Sequence, residues 1–302
     1  MGYNISGLPA YTSEQSREFM YKSILGSQTI DLLTSAGSFD PTAKGTQAVQ
    51  LIDVDVYFQD GSTCGRNPMG GATLSQAKLE VKDIKINTNY CVKDLVKTYA
   101  VEDMKATMKG TKYDDALFLD TIGNLVSSNT ARDVEKLTWV GDVTLTGTTN
   151  MKFADGYLKQ IKAAPEHINL SGVTGSTVTA KLQKVFAGMP IEVSGAEDFR
   201  IFIGKDTFNS YKAELAEKNL FTPQAETELF GTTGKLAVVD GLNGTGEVVA
   251  ARMRNLRAGG EMDAIEMEKW YSRETDSVNL DSSFSIGYTI VYPQEIGHAK
   301  IA

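Results

Sequence analysis

The stretch from Thr46 to Val92 constrains the fold most, because its residue pattern predicts one long β-hairpin. The first arm runs from Gln47 to Phe58, and the second from Ala77 to Tyr90. Between them, Gly61 to Gly71 is rich in turn formers. Both arms change phase: Val49 and Leu51 give way to Ile52, Val54, Val56 and Phe58, and Leu79 and Val81 give way to Ile84 and Ile86. One antiparallel register accommodates both shifts, with Val49 opposite Ile86, Leu51 opposite Ile84, Val54 opposite Val81 and Val56 opposite Leu79. In that register the root packs on the body, and the outer part, with Val54, Val56, Phe58, Leu79 and Val81, packs on something else. A two-stranded ribbon is marginal alone in water, so a second subunit is the expected support.

The 302 residues suit one large domain or two intimate ones. With 41% hydrophobic and 23% charged residues, the composition is that of a globular protein with ample core. No apolar run reaches the roughly 20 residues of a membrane span, so no membrane is expected. The N-terminus lacks a basic-then-apolar leader, which predicts a protein made and used in a cytoplasm. Cys64 and Cys91 match no metal or redox spacing and read as reduced thiols. The net charge of −8 argues against a surface built to grip nucleic acid, though not against a shell enclosing it.

Ahead of the hairpin, residues 1–45 read as an arm. Ser13 is placed to cap a helix that carries Phe19, Met20 and Ile24, and Gln28 to Ser35 forms a second, shorter helix. The segment is either a loose terminus or an arm wrapping a neighbour, and its embedded apolar residues favour the second. After the hairpin come a helix over Val92–Met108 and a longer one from Thr111, carrying Leu117, Phe118, Ile122, Leu125 and Val126 and running to about Leu137. At about 25 residues this helix is roughly 37 Å long, a scaffold beam. Trp139 to Asp142 ends it. The middle predicts short helices over Asp155–Ala163 and Thr177–Ala187, buried strands at Phe199–Ile203 and Lys235–Val239, and between those strands a helix capped by Asp206. That mixture indicates an α+β class. Further strands are expected over Glu247–Leu256 and Ala264–Tyr271. From Val278 to Tyr292 the apolar residues share one parity, broken only by Ser282.

Catalytic and cofactor signatures are missing from the sequence. His167 and His298 lie far apart without ligand-spaced partners and read as structural, so no metal is expected. Gly241 to Gly246 lacks phosphate-loop spacing and leads into a strand, which reads as a hairpin loop rather than a nucleotide cradle; no cofactor is expected. There is no nucleophile elbow. Arg252, Arg254 and Arg257 form a small basic cluster whose default role is a solvated or interface edge.

The order of arm, long hairpin, long helix, α+β middle and closing strands resembles the major capsid proteins of tailed bacteriophages, the Hong-Kong-97-like family. Phe230 to Leu242 is similar to that family's strand after its axial helix, Glu247 to Pro293 to its closing strands, and Trp139 to Asp142 to a turn that follows its spine helix. Asn4 to Pro9 and Gly61 to Cys64 look most like capsid proteins of Bacteroidota-infecting, crAss-like phages. The resemblance implies an N-terminal arm over 1–45, an E-loop over 46–92, a peripheral (P) domain over 93–150 and 247–302, and an axial (A) domain over 151–246. It also implies a non-enzymatic protein that self-assembles as hexamers and pentamers into an icosahedral virion shell in the bacterial cytoplasm, enclosing double-stranded DNA without sequence-specific contacts. A scaffolding protein and a portal protein are the expected partners. The expected subunit contacts are Val54, Val56, Phe58, Arg66, Leu79 and Val81 on the E-loop and Phe19, Met20 and Ile24 on the arm. The first 45 residues are short for a fused scaffolding domain, which implies a separate scaffold or a removed upstream segment. The alternatives are an encapsulin-like nanocompartment, another phage structural protein such as a tail-tube subunit and, with much less support, an enzyme of unrecognised class.

Overall fold

The computed structural model describes residues 26–54, 56–59, 62, 69–91, 115–218, 227–261, 266–272, 274–275 and 277–301. Two five-stranded sheets and one long helix organise them. The helix, α2 (Asp115–Val140), follows α1 (Gln28–Ser35) and extends to the Trp139 turn as the sequence predicts.

The first sheet is built on β11 (Ser277–Ile290). Its first half pairs on one side with β10 (Glu266–Ser272) and on the other with β4 (Lys82–Cys91). Its end pairs with β9 (Leu256–Gly259), which carries the two-residue β1 (Phe39–Asp40). The expected parity is present: Leu280, Phe284, Ile286 and Tyr288 are buried on one face, and Ser282 is buried in the same series. They form a core with Ile84, Val134, Leu137, Trp139 and Tyr157, which seats α2 and α3 (Tyr157–Ala163) on the sheet.

The second sheet runs β5 (Ile168–Asn169), β12 (Gly297–Lys300), β8 (Glu247–Arg252), β6 (Phe199–Ile203) and β7 (Leu236–Val238). Its central strands are buried on both faces. Phe202, Val249 and Ala251 enter the α2 core, whereas Phe199, Ile201, Ile203, Val248 and Ala250 face a second core with Leu182 and Val185 of α4 (Val178–Ala187), Val193 of α5 (Ile191–Ser194) and Tyr211 of α6 (Lys205–Glu217). Burial on two faces explains why these strands read as continuous apolar runs rather than alternations. β8 and β12 lie in this sheet with β6 and β7, so the division expected at residue 246 does not coincide with a sheet boundary.

Several local expectations are corrected. The hairpin's second arm is two strands: β2 (Thr46–Val54) pairs only with β3 (Ala72–Glu80), and the chain then leaves the ribbon at Val81 to enter the first sheet as β4. Val49 therefore faces Ala77 rather than Ile86, and Val54 faces Ala72 rather than Val81; Ile84 lies across from Phe284. The phase change at Val81 is a change of sheet, not a bulge in a continuous ribbon. The Gly241–Gly246 segment is not a hairpin loop, because it links β7 to β8 across the intervening β6, through a 3-10 turn at Asp240–Leu242. Gly204, not Asp206, occupies the cap position of α6, while the Asp206 carboxylate accepts from the Gly244 amide. The strand expected over Glu247–Leu256 is interrupted at Met253–Asn255. Within the expected arm, α1 is no appendage: Ile30 and Leu33 are fully buried in the α2 core. The expected helices over 14–25 and 92–108 and the cap at Thr111 lie outside the described residues.

Candidate assembly surface

The ribbon β2–β3 is fixed at its root and open beyond it. At the root, Ala43, Leu79 and Val81 form a small buried cluster with Val49 packed against it. The Val81 amide donates to the Gly45 carbonyl at 2.8 Å, and Gly45 takes a positive φ of 58° to present it. The root sits close against the first sheet because that sheet offers glycine there. A Cβ on Gly287 would come within 2.3 Å of the Glu80 carbonyl oxygen, and one on Gly259 within 2.8 Å of both Ala43 and Leu79. Leu79 and Val81 are thus interior residues of the subunit, which corrects their expected place on the reaching part.

Beyond the root the apolar residues are unburied. Ile52 is 58% exposed, Val54 57%, Val56 73% and Phe58 101%. Tyr57 and Met69 are exposed with them. Ile52 and Val54 end β2, and Val56 and Phe58 follow it, so these exposed apolar side chains are grouped in sequence rather than scattered. Arg66, at the expected tip contact, and Phe19, Met20 and Ile24, on the expected arm, lie outside the described residues, as does Cys64.

A second group of exposed apolar side chains lies at the end of α2 and just after it: Val140, Val143, Leu145 and Phe153. The turn that presents them is rigid. The indole of Trp139 is fully buried between Tyr157 and Phe202, with ring centroids 5.5 and 5.1 Å away. Gly141 and Gly156 meet backbone to backbone: the Gly156 amide donates to the Gly141 carbonyl at 2.9 Å, and a Cβ on Gly141 would lie 2.4 Å from the Ala154 carbonyl oxygen. At the surface, Lys159 pairs with Asp142 at 2.7 Å and with Asp155 at 2.5 Å. The hydrogen bond from Lys159, with those from Thr144, holds the Asp142 carboxyl at about 2.

Sequence reasoning missed two buried polar assemblies. In the first, Glu135 of α2 accepts from the Ser27 hydroxyl and from the Thr29 amide and hydroxyl, at 2.9 and 2.6 Å, so a carboxylate from a distant helix occupies the capping place at the start of α1. The Thr29 hydroxyl in turn accepts from the Trp139 indole at 2.7 Å. In the second, the chain's only two histidines meet, with ring centroids 6.0 Å apart, beside Glu247. No local pattern marks either assembly, since each joins residues more than fifty positions apart. The arginine cluster is mostly engaged: Arg252 pairs with Asp198 at 2.8 Å and Arg254 lies 3.7 Å from Glu295. Among the described residues no group of three acidic, histidine or cysteine side chains is placed to hold a metal. None of their helices is long and apolar enough to cross a membrane.

No family model matches the sequence, and no curated protein matches it. Solved structures do match. A chain of the satellite phage P4 procapsid including size determination (Sid) protein superposes with a TM-score of 0.60 at 13% identity, over 91% of this chain and 89% of that one. A chain of the capsid of an empty GTA particle gives 0.59 at 11% identity, over 89% of each chain. The chain has the Hong-Kong-97-like capsid fold. A chain from Gordonia phage Cozz adds a TM-score of 0.57 at 12% identity, over 90% of this chain and 86% of that one. The ribbon β2–β3 spans part of the segment where the E-loop was expected, and α2 part of the segment where the spine helix was expected.

Proposed function

We propose that the chain is the major shell subunit of a tailed bacteriophage, a structural protein rather than an enzyme. Many copies join through their ribbons and N-terminal arms as hexamers and pentamers of an icosahedral shell around double-stranded DNA. The observation that carries the reading is the exposed row Ile52, Val54, Val56 and Phe58 on a ribbon rooted in a capsid fold. Its counter-surface in the proposal is the apolar group Val140, Val143, Leu145 and Phe153 of an adjacent copy, which matches it in chemistry. Two different patches on one chain make a heterologous contact, the type that closes into rings when the rotation allows. The ribbon is therefore the proposed E-loop, α2 with the first sheet the P domain, and the α4–α6 side of the second sheet the A domain. A scaffolding protein, a portal protein and assembly in the bacterial cytoplasm belong to the proposal through the resemblance alone. So does the Bacteroidota-infecting subgroup, which rests only on Asn4–Pro9 and Gly61–Cys64.

The test is sedimentation and negative-stain microscopy of the purified full chain. Closed shells, or sheets and spirals of capsomers, are expected. A single small oligomer at every concentration would refute the reading. Nucleic acid inside native particles is expected, whereas a protein cargo in its place would turn the reading to a nanocompartment.

A further inference from the structure

The histidine pair sits where the second sheet is thinnest. β5, two residues long, pairs with β12 at the sheet's edge, and backbone bonds flank the pair on both sides: the Ile168 amide donates to the Ile296 carbonyl at 2.9 Å, and the Leu170 amide to the His298 carbonyl at 2.8 Å. His298 is buried on β12, and its Nε2 lies 2.6 Å from a carboxylate oxygen of Glu247 on β8. The other Glu247 oxygen accepts from Lys162 of α3 at 2.8 Å. The His167 ring, just ahead of β5, meets the His298 ring edge to face, while its own Nδ1 lies 2.6 Å from the Ala164 carbonyl oxygen. Lys300, the register partner of Glu247, is exposed at the strand end. Among the described residues the charged and titratable groups acting on His298 are Glu247, Lys162 and His167, with Lys300 two positions along the same strand.

The charge balance of this cluster is closed at neutral pH. One buried carboxylate is already matched by the Lys162 ammonium, and a neutral imidazole donates to it through Nε2–H, since an ionised carboxylate only accepts. Burial pushes the Glu247 carboxyl up, but the hydrogen bonds from Lys162 and His298 outweigh that and hold it below its usual range. A proton on His298 would put a second cation beside a single carboxylate, in a site with little water and a second imidazole against it.

We propose that this cluster is an acid-sensitive latch: protonation of His298 releases β5, and the loop that follows it, from the edge strand β12. The direction follows from geometry and agrees with the ring's own tendency. Burial holds the His298 imidazole below its ordinary value of 6.5, against the opposing pull of Glu247. The opened edge, where the ring is hydrated, then binds the proton more tightly than the closed edge. The closed edge loses stability as pH falls through and below 6.5, well above the range in which Glu247 itself titrates. The proposal is independent of the shell reading, because it concerns one subunit's own sheet.

Hydrogen exchange by mass spectrometry on the full chain tests it, at about pH 7.5 and about pH 5.5 with intrinsic rates corrected. Segments 164–171 and 296–301 should exchange faster at the lower pH, by up to about tenfold, while α2 is unchanged. His298→Gln keeps a donor for Glu247 but does not titrate, and should remove the pH dependence. An equal dependence in H298Q, or none in the unmodified chain, overturns the proposal. Should H298Q fail to fold, NMR titration of the unmodified chain decides. The His298 ring and the Leu170 amide should change with one midpoint, and a His298 titration that leaves the Leu170 amide unmoved overturns it.

Discussion

Replacing Val54, Val56 and Phe58 with Asp, Asp and Ser tests the assembly surface most directly. The exposed fractions are 57%, 73% and 101%, so most of each side chain is available to a partner. At about 2 kcal/mol for a fully buried valine and somewhat more for phenylalanine, their burial against a neighbour offers about 5 kcal/mol per ribbon. Lost mobility and side-chain ordering reduce what appears as affinity. If half survives, removing it raises the concentration needed for assembly about fifty-fold, and the two buried aspartates raise it further. The body should be indifferent, because surface substitutions away from special features usually change stability by less than about 0.5 kcal/mol. Sedimentation velocity over a concentration series reads the first quantity, and thermal unfolding by circular dichroism the second. Shells forming at the unmodified threshold would refute the assignment of the ribbon as an interface. A large loss of melting temperature would show instead that the row packs within the subunit.

Three further outcomes follow from the packing. Gly141→Ala drives a Cβ to 2.4 Å from the Ala154 carbonyl oxygen and 2.5 Å from that of Leu137, and should cost about 2 kcal/mol in chemical denaturation; Gly172→Ala, with nothing within 4 Å, should change nothing. Glu135→Ala strands the buried Ser27 and Thr29 donors and should cost about 3 kcal/mol, with early loss of α1 in hydrogen exchange. With Cys64 and Cys91 replaced by serine, Val56→Cys together with Leu145→Cys should give a ladder of disulfide-linked multimers on oxidation of assembled particles. Absence of that ladder assigns the ribbon a different seat.

Much of the fold was readable because its signals are local. The parity of Leu280, Phe284, Ile286 and Tyr288 marks a half-buried strand, the two-sided burial of Phe199 to Ile203 shows as an apolar run broken only by Arg200, and the Trp139 turn ends the helix where its glycine follows. The pairing was not readable, because it is not local. Ile84 and Ile86 have the alternation that suits a ribbon, yet the strand that needs them is β11, almost two hundred positions later. A phase change shows that a chain switches faces, but not which sheet receives it. The apolar row of Val54, Val56 and Phe58 was legible as residues without a home in the subunit. Leu79 and Val81 carry the same chemistry and were sorted wrongly, because only the three-dimensional root shows the glycines that make room for them. The Glu135 cap and the histidine cluster had no signature, since a single Glu or His predicts nothing until its partner is in place.

The change of sheet at Val81 gives the ribbon a firm base. A continuous hairpin from 46 to 92 would share its support between both arms. In the observed fold the ribbon ends at Glu80, and two residues later the chain is paired to β11. β11 also carries β9 and β10, and its Phe284, Ile286 and Tyr288 lie in the same core as Val134, Leu137 and Trp139 of α2. At Gly287 the root meets β11 backbone to backbone, with Gly287 against the Glu80 carbonyl and the Val81 Cα. Backbone against backbone leaves little that can yield by rotamer change, so a force on the outer ribbon passes to β11 rather than being absorbed at the root. The second apolar patch lies on the turn closing that same helix, where Gly141 and Gly156 are in equally close contact. In the proposed shell, a subunit would therefore feel a neighbour at its ribbon and at its spine-helix turn through one rigid unit. Curvature would be set by how those two patches are oriented across β11 and α2, and not by flexing of the ribbon.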